Sequence, residues 1–170
     1  LLIGMILERV RGSTVTDLLQ RWIWNPVGME RGGSWSIDSR VHGFEKMESG
    51  INAHPVDFAK LGALYLHQGR RNGQQVVSAA WVHEATQPWP EPPGYYGNRG
   101  SFAPGRRYFG YFWWGDNRTG GQSDFHTVGN KGQFVWCSPQ KRLIIVRTGM
   151  EYGISSGTWL RLFRQFADRF

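Results

Sequence analysis

The last third of the chain constrains its fold most, because β-forming runs alternate there with turn residues. Tyr108-Phe-Gly-Tyr-Phe-Trp-Trp114 leads into Phe125-His-Thr-Val-Gly-Asn-Lys-Gly-Gln-Phe-Val-Trp-Cys-Ser-Pro139, and Leu143-Ile-Ile-Val-Arg-Thr-Gly149 follows. Three such runs separated by turn residues read as an antiparallel meander over about 108–148. Gly129 and Gly132 space the middle run. Glycine inside a strand marks either a bulge or a place where another molecule approaches the backbone, and both readings stand.

The rest of the chain reads as helices and loops. Residues 1–11 form the end of an apolar helix that Gly12 stops. The chain opens inside this pattern without an initiator Met, which predicts that it is the C-terminal part of a larger protein. Thr14-Val-Thr-Asp17 resembles a capping box. Val15, Leu18, Leu19, Trp22 and Ile23 follow at helical spacing until Pro26 and Gly28. Residues 32–53 read as loop with one short strand near 34–37. Pro55 opens a third helix that Gly69 ends, Asn72-Gly73 signals a tight turn, and Ser78 caps a fourth helix to about Thr86. Residues 87–107 carry Pro, Gly and Arg without periodicity and read as a long surface loop. Ser155 or Ser156 caps a last helix that is expected to pack on the sheet through Trp159, Phe163 and Phe166.

Composition narrows the function classes. With 40% hydrophobic residues, 9 Trp and 10 Phe in 170 positions, the chain can build a packed core, which excludes disorder. The net charge of +7 comes mostly from arginine, since only Lys46, Lys60, Lys131 and Lys141 are lysines. These arginines are dispersed, with only Arg70-Arg71 and Arg106-Arg107 adjacent, so no clustered basic face for nucleic acid is expected. A single cysteine, Cys137, excludes an internal disulfide and a cysteine metal cluster. His42, His54, His67 and His83 show no metal-ligand spacing. No apolar run reaches membrane-spanning length.

Six phrases occur in a meaningful order: Leu2-Ile-Gly-Met-Ile-Leu-Glu-Arg-Val-Arg-Gly12, Asn25-Pro-Val-Gly-Met29, Ser49-Gly-Ile-Asn-Ala53, Asp57-Phe-Ala-Lys-Leu-Gly62, the run over 108–114, and Gly129-Asn-Lys-Gly-Gln133. Together they resemble the C-terminal half of the serine β-lactamase and penicillin-binding-protein-like hydrolases. The nearest branch is the class C-like group with the family VIII carboxylesterases, D-aminopeptidases and 6-aminohexanoate-oligomer hydrolases. The resemblance implies an α+β fold, an antiparallel sheet with packed helices. Residues 1–170 would be the C-terminal fragment of a single domain whose catalytic N-terminal part is missing. The family's Ser-x-x-Lys nucleophile and Tyr-x-Asn proton shuttle would then precede Leu1.

Two literal matches inside the chain are expected to be false. Ser138-Pro-Gln-Lys141 spells Ser-x-x-Lys but falls in a turn between strands, where no helical turn brings the amine to the hydroxyl. Tyr96-Gly-Asn98 spells Tyr-x-Asn but lies in the Pro/Gly loop, ahead of that pseudo-motif. The family's third box, Lys-Thr-Gly or a variant on a strand, aligns with His126-Thr-Val-Gly-Asn130. The resemblance makes the Asn130 N–H an oxyanion donor, a role worth roughly 3–4 kcal/mol. It makes His126, Thr127, Gly129, Gly132 and Gln133 substrate-binding residues. Against this, His126 can be an ordinary part-buried histidine, and Gln133 can bond behind the strand. Trp113 and Trp114 point to opposite faces, one to the core and the other toward a cleft.

The function implied is a serine hydrolase that cleaves an ester or amide through an acyl-enzyme, with a small-molecule ester, amide or peptide as partner and no cofactor. The family tendency is periplasmic or secreted. Two other classes remain: a catalytically inactive relative that binds peptide or cell wall, and a basic aromatic module that stacks single-stranded nucleic acid.

Overall fold

Stop signals and caps set the helical half of the chain. The structure is a computed structural model that describes residues 1–41, 43–87, 107–118 and 123–170. Helix α1 (Leu2–Arg11) ends where Gly12 turns left-handed and donates its N–H to Glu8 O. Helix α2 (Val15–Leu19) is capped twice: Thr14 Oγ1 accepts the Asp17 N–H at 3.1 Å, and Glu8 Oε1 accepts the Val15 N–H at 2.9 Å. Glu8, rather than Asp17, therefore supplies the carboxylate at this helix start. The chain then widens into a π-helical turn (Gln20–Trp24) before α3 (Asn25–Val27). Pro26 sits in the first turn of α3 and does not end the helical stretch. It has no N–H for an i→i−4 bond, and the wider turn before it removes that demand. Gly28, left-handed at φ 75°, makes the stop.

Strand β1 (Ser34–Trp35) pairs with β2 (Ile51–Asn52). Helix α4 (Pro55–Leu66) follows, then the hairpin β3 (Arg70–Arg71) and β4 (Gln74–Gln75), which turns on Asn72 and Gly73 with both φ positive. At Gly69 an added Cβ would lie 1.9 Å from Val77 O, so only glycine fits between the end of α4 and the returning chain. Helix α5 (Ala79–Thr86) starts on the Ser78 cap. Helix α4 also holds the earlier loop. Asp57, 1% exposed, accepts the Glu30 N–H at 2.7 Å and the Arg31 N–H at 3.3 Å, while Lys60 donates to Gly28 O and pairs with Glu30. The phrases at 25–29 and 57–62 are thus in direct contact.

The last third forms one antiparallel sheet of five strands in sequential order: β5 (Arg107–Gly110), β6 (Trp113–Asn117), β7 (Ser123–Gly129), β8 (Gln133–Ser138) and β9 (Leu143–Arg147). Helix α6 (Ser156–Ala167) follows, capped by Ser155. The run over 108–114 is not the single strand its composition suggests. It folds back at Tyr111 and Phe112, whose φ values of 46° and 69° form a two-residue turn without the usual Asn or Gly. Gly115 lies under the Tyr108 ring, where an added Cβ would fall 1.7 Å from a ring carbon. The Tyr108 hydroxyl donates to Thr86 O and ties β5 to α5.

Each face of the sheet carries its own core. Trp113, Phe125, Val135 and Cys137 meet Ala85, Phe58 and Tyr65 of α4 and α5. Gly62 lets α4 approach, since an added Cβ would come within 2.9 Å of Cys137 Sγ. On the other face Phe134 and Trp136 meet Leu160 and Phe163 of α6, with Trp159 alongside. Phe166, expected to dock on the sheet, is instead half exposed and packs on Phe170 at 5.1 Å. The buried stripe runs Leu160, Phe163, Ala167, which leaves position 166 on the flank. The sheet order ends at β9, and no strand among the described residues pairs with its outer edge. Most of the loop over 87–107, with Tyr96-Gly-Asn98, and His42 lie outside the described residues.

Candidate active site

The end of the β7–β8 hairpin collects most of the residues singled out from the sequence. Gly129 pairs with Gln133 across it, and Asn130, Lys131 and Gly132 form the turn. Asn130 is exposed, and its Oδ1 accepts the Lys131 N–H at 2.9 Å. Lys131 (φ 58°) and Gly132 (φ 80°) are both left-handed, which fixes the tight reversal. Thr127 is half-buried, and its Oγ1 accepts the Val135 N–H at 3.1 Å. The Gln133 amide is engaged from both sides: its Nε2 donates to Gly149 O, and its Oε1 accepts the Gly149 N–H at 3.0 Å. The Gln133 side chain is thus bonded to the backbone of Gly149, just beyond β9.

His126 stands apart from the turn. It is 2% exposed on the α6 face, stacked on Trp136 with ring centroids 5.0 Å apart and planes within 15°. Burial, aided by the nearby Arg107 charge, pushes its pKa down from 6.5 to about 3, so the ring is neutral near pH 7. As placed, it is a buried histidine packed within the α6 face of the sheet. The unfolded chain takes up a proton near pH 6.5, whereas the folded chain resists it until about pH 3. Stability from this group is full above the unfolded value and is lost as pH falls through that window. His126→Gln should therefore flatten the acid limb. In urea titrations the stability difference between wild type and variant should shrink as pH drops from about 7 to about 4. A constant difference across that range would refute the assignment.

The literal Ser-x-x-Lys is closed to substrate. Ser138 is fully buried at the end of β8, on the α6 face beside Asp124. Its neighbours Pro139 to Arg142 make a turn, closed by Arg142 N–H to Pro139 O at 3.2 Å. Asp124 and Arg118 form a buried ion pair that also reaches Asp168 of the α6 end. Burial pushes the Cys137 thiol up, as suits a core residue between α4 and the sheet. Trp113 is the core member of the Trp113–Trp114 pair, and half-buried Trp114 lies across from His126 on the α6 face.

Sequence reasoning missed Arg147, Gly149 and Tyr152, which close around the turn from the β9 side. The Tyr152 hydroxyl donates to Gly129 O at 3.3 Å. The Arg147 guanidinium reaches Gly132 O and, at 3.4 Å, Lys131 O. The available signal was a cation directly followed by Thr148 and Gly149 at a strand end.

The sequence model of the Beta-lactamase family matches residues 1–148. Over 170 aligned positions the chain is 25% identical to the 6-aminohexanoate-dimer hydrolase of Paenarthrobacter ureafaciens, covering 95% of this chain and 42% of that protein. Among solved structures, a Bacillus anthracis protein provisionally assigned as a 6-aminohexanoate-dimer hydrolase superposes with a TM-score of 0.79 at 22% identity, covering 98% of this chain and 41% of that one. A Bacteroides dorei DSM 17855 protein provisionally assigned as a β-lactamase gives 0.61 at 17% identity, covering 90% and 50%. The chain therefore spans under half the length of the curated relative it matches. The two structural likenesses establish the fold, and the family match over most of the sequence shows that this chain belongs to the β-lactamase family.

Proposed function

We propose that the whole protein containing this chain is a serine hydrolase that cleaves an ester or amide through an acyl-enzyme, and that this chain supplies the wall bearing one oxyanion donor, the Asn130 N–H. The supporting observation is the end of the β7–β8 hairpin. Asn130 stands exposed there on a turn whose neighbours are all held: Lys131 N–H by Asn130 Oδ1, Gly129 O by Tyr152, and Gly132 O by Arg147. A donor fixed in advance stabilises developing charge without reorganising at the moment of reaction. A serine upstream of Leu1 would attack the carbonyl carbon while its proton passes to a neighbouring base. The tetrahedral oxyanion would sit between the Asn130 N–H and the nucleophile's own N–H. Collapse would release the alcohol or amine, and water would then free the acid.

Two tryptophans buried in the sheet support the hydrolase over a nucleic-acid module, while Trp22, Trp81 and Phe112 are exposed. Trp113 and Trp136 are buried, and the indoles of Trp24, Trp35 and Trp159 donate to backbone carbonyls. A stacking platform needs several open rings on one face. The test is covalent labelling. A fluorophosphonate probe should label the whole protein on a serine upstream of Leu1, and Ser138→Ala should label like wild type. The 170-residue chain alone should take no label, having no oriented nucleophile. No labelling of the whole protein, or labelling on Ser138, would overturn the reading.

A further inference from the structure

We propose that Arg147 is a positioning residue, which locks the turn carrying Asn130 to the segment after β9. The proposal rests on the oxyanion role given to Asn130 above. Arg147 is the last residue of β9, and its guanidinium is surrounded by backbone carbonyls. Nη1 donates to Gly132 O and, at 3.4 Å, to Lys131 O, while Nη2 donates to Glu151 O at 2.8 Å and Tyr152 O at 3.2 Å. Its carbon lies 4.4 Å from the centre of the Trp159 ring, so α6 supplies the floor. Two glycines make the space. An added Cβ would fall 2.6 Å from Nη1 at Gly132 and 2.9 Å from it at Gly149. Gly132 therefore has a local reason to be glycine besides any approach of substrate.

The geometry needs a fork. One nitrogen serves the turn and the other serves the 151–152 segment, and a planar guanidinium spans both at once. A lysine ammonium is a point charge on a flexible stem and cannot hold two pairs of carbonyls at fixed separation. Gln133 bonds Gly149 from the other side, so the turn and the segment after β9 form one unit. Without the fork, the Lys131–Gly132 carbonyls lose their anchor, and the adjoining Asn130 N–H loses its fixed direction.

The test compares wild type, Arg147→Lys and Arg147→Ala in the whole protein, under conditions well below each urea midpoint. With p-nitrophenyl acetate, both variants should lose about a hundredfold in acylation rate at saturation, the scale of a misplaced catalytic group, with KM little changed. Amide exchange at Lys131, protected in wild type by Asn130 Oδ1, should quicken in both. Methylguanidine should restore part of that protection in Arg147→Ala. If only the alanine variant slows, the charge alone acts and the fork has no positioning role. Wild-type acylation and wild-type Lys131 exchange in Arg147→Lys would also overturn the proposal. If the whole wild-type protein takes no acyl group, the hydrolase reading falls and exchange alone judges the lock. Unchanged exchange in Arg147→Lys then overturns it, and lost protection supports it.

Discussion

Asn130→Pro in the whole protein should slow acylation by about a hundredfold or more, because proline deletes one of the two backbone N–H groups proposed to face the oxyanion. The substitution is local. Gly129 already has an extended backbone, φ −99° and ψ 163°, which a following proline accepts. Side-chain and backbone effects separate with a second variant. Asn130→Ser keeps the N–H and a short neutral acceptor for the Lys131 N–H, so its acylation should stay close to wild type. Stopped-flow measurement of the acylation phase reads both. If the proline variant acylates like wild type, the donor lies elsewhere, and the β7–β8 turn is a structural hairpin only. Equal slowing in both variants would place the effect in the side chain.

The hairpin was legible in the sequence, but its mechanics were not. Gly12, Ser78 and Ser155 acted at the helix boundaries as their local chemistry dictates, because a cap is decided within a few residues. The turn at Tyr111 and Phe112 escaped notice because left-handed backbone there falls on aromatic residues. Its stability comes from pairing across β5 and β6 and from the Tyr111 hydroxyl reaching Glu84 of α5, both tertiary effects. Phe166 was misassigned for a related reason. The apolar stripe of α6 is wider than the contact, and only the sheet's shape decides which edge is covered. His126 and Gln133 were recognised as notable residues, yet their side-chain directions depend on strand parity and on Gly149, sixteen residues beyond Gln133. Arg147 gave no periodic signal, since its partners are carbonyls brought together only by the closed sheet.

Trp136→Ala should destabilise the fold by about 3–5 kcal/mol, the largest effect expected from a single core truncation here. Trp136 is fully buried in the middle of the sheet's α6 face, stacked on His126 and 6.2 Å from the Phe163 ring. Removing the indole takes away one of the two aromatic residues of the sheet that meet Leu160 and Phe163 of α6 and leaves a cavity between the layers. No hydrogen bond is lost, since the buried Nε1 has no partner among the described residues. Trp136→Phe should lose clearly less than the alanine variant, because a smaller ring still fills part of the site. Urea unfolding of all three proteins at one pH, compared at equal slope, gives both differences. A loss below about 1 kcal/mol for Trp136→Ala would mean that α6 is held chiefly by the Arg118–Asp168 pair at its far end rather than by this core.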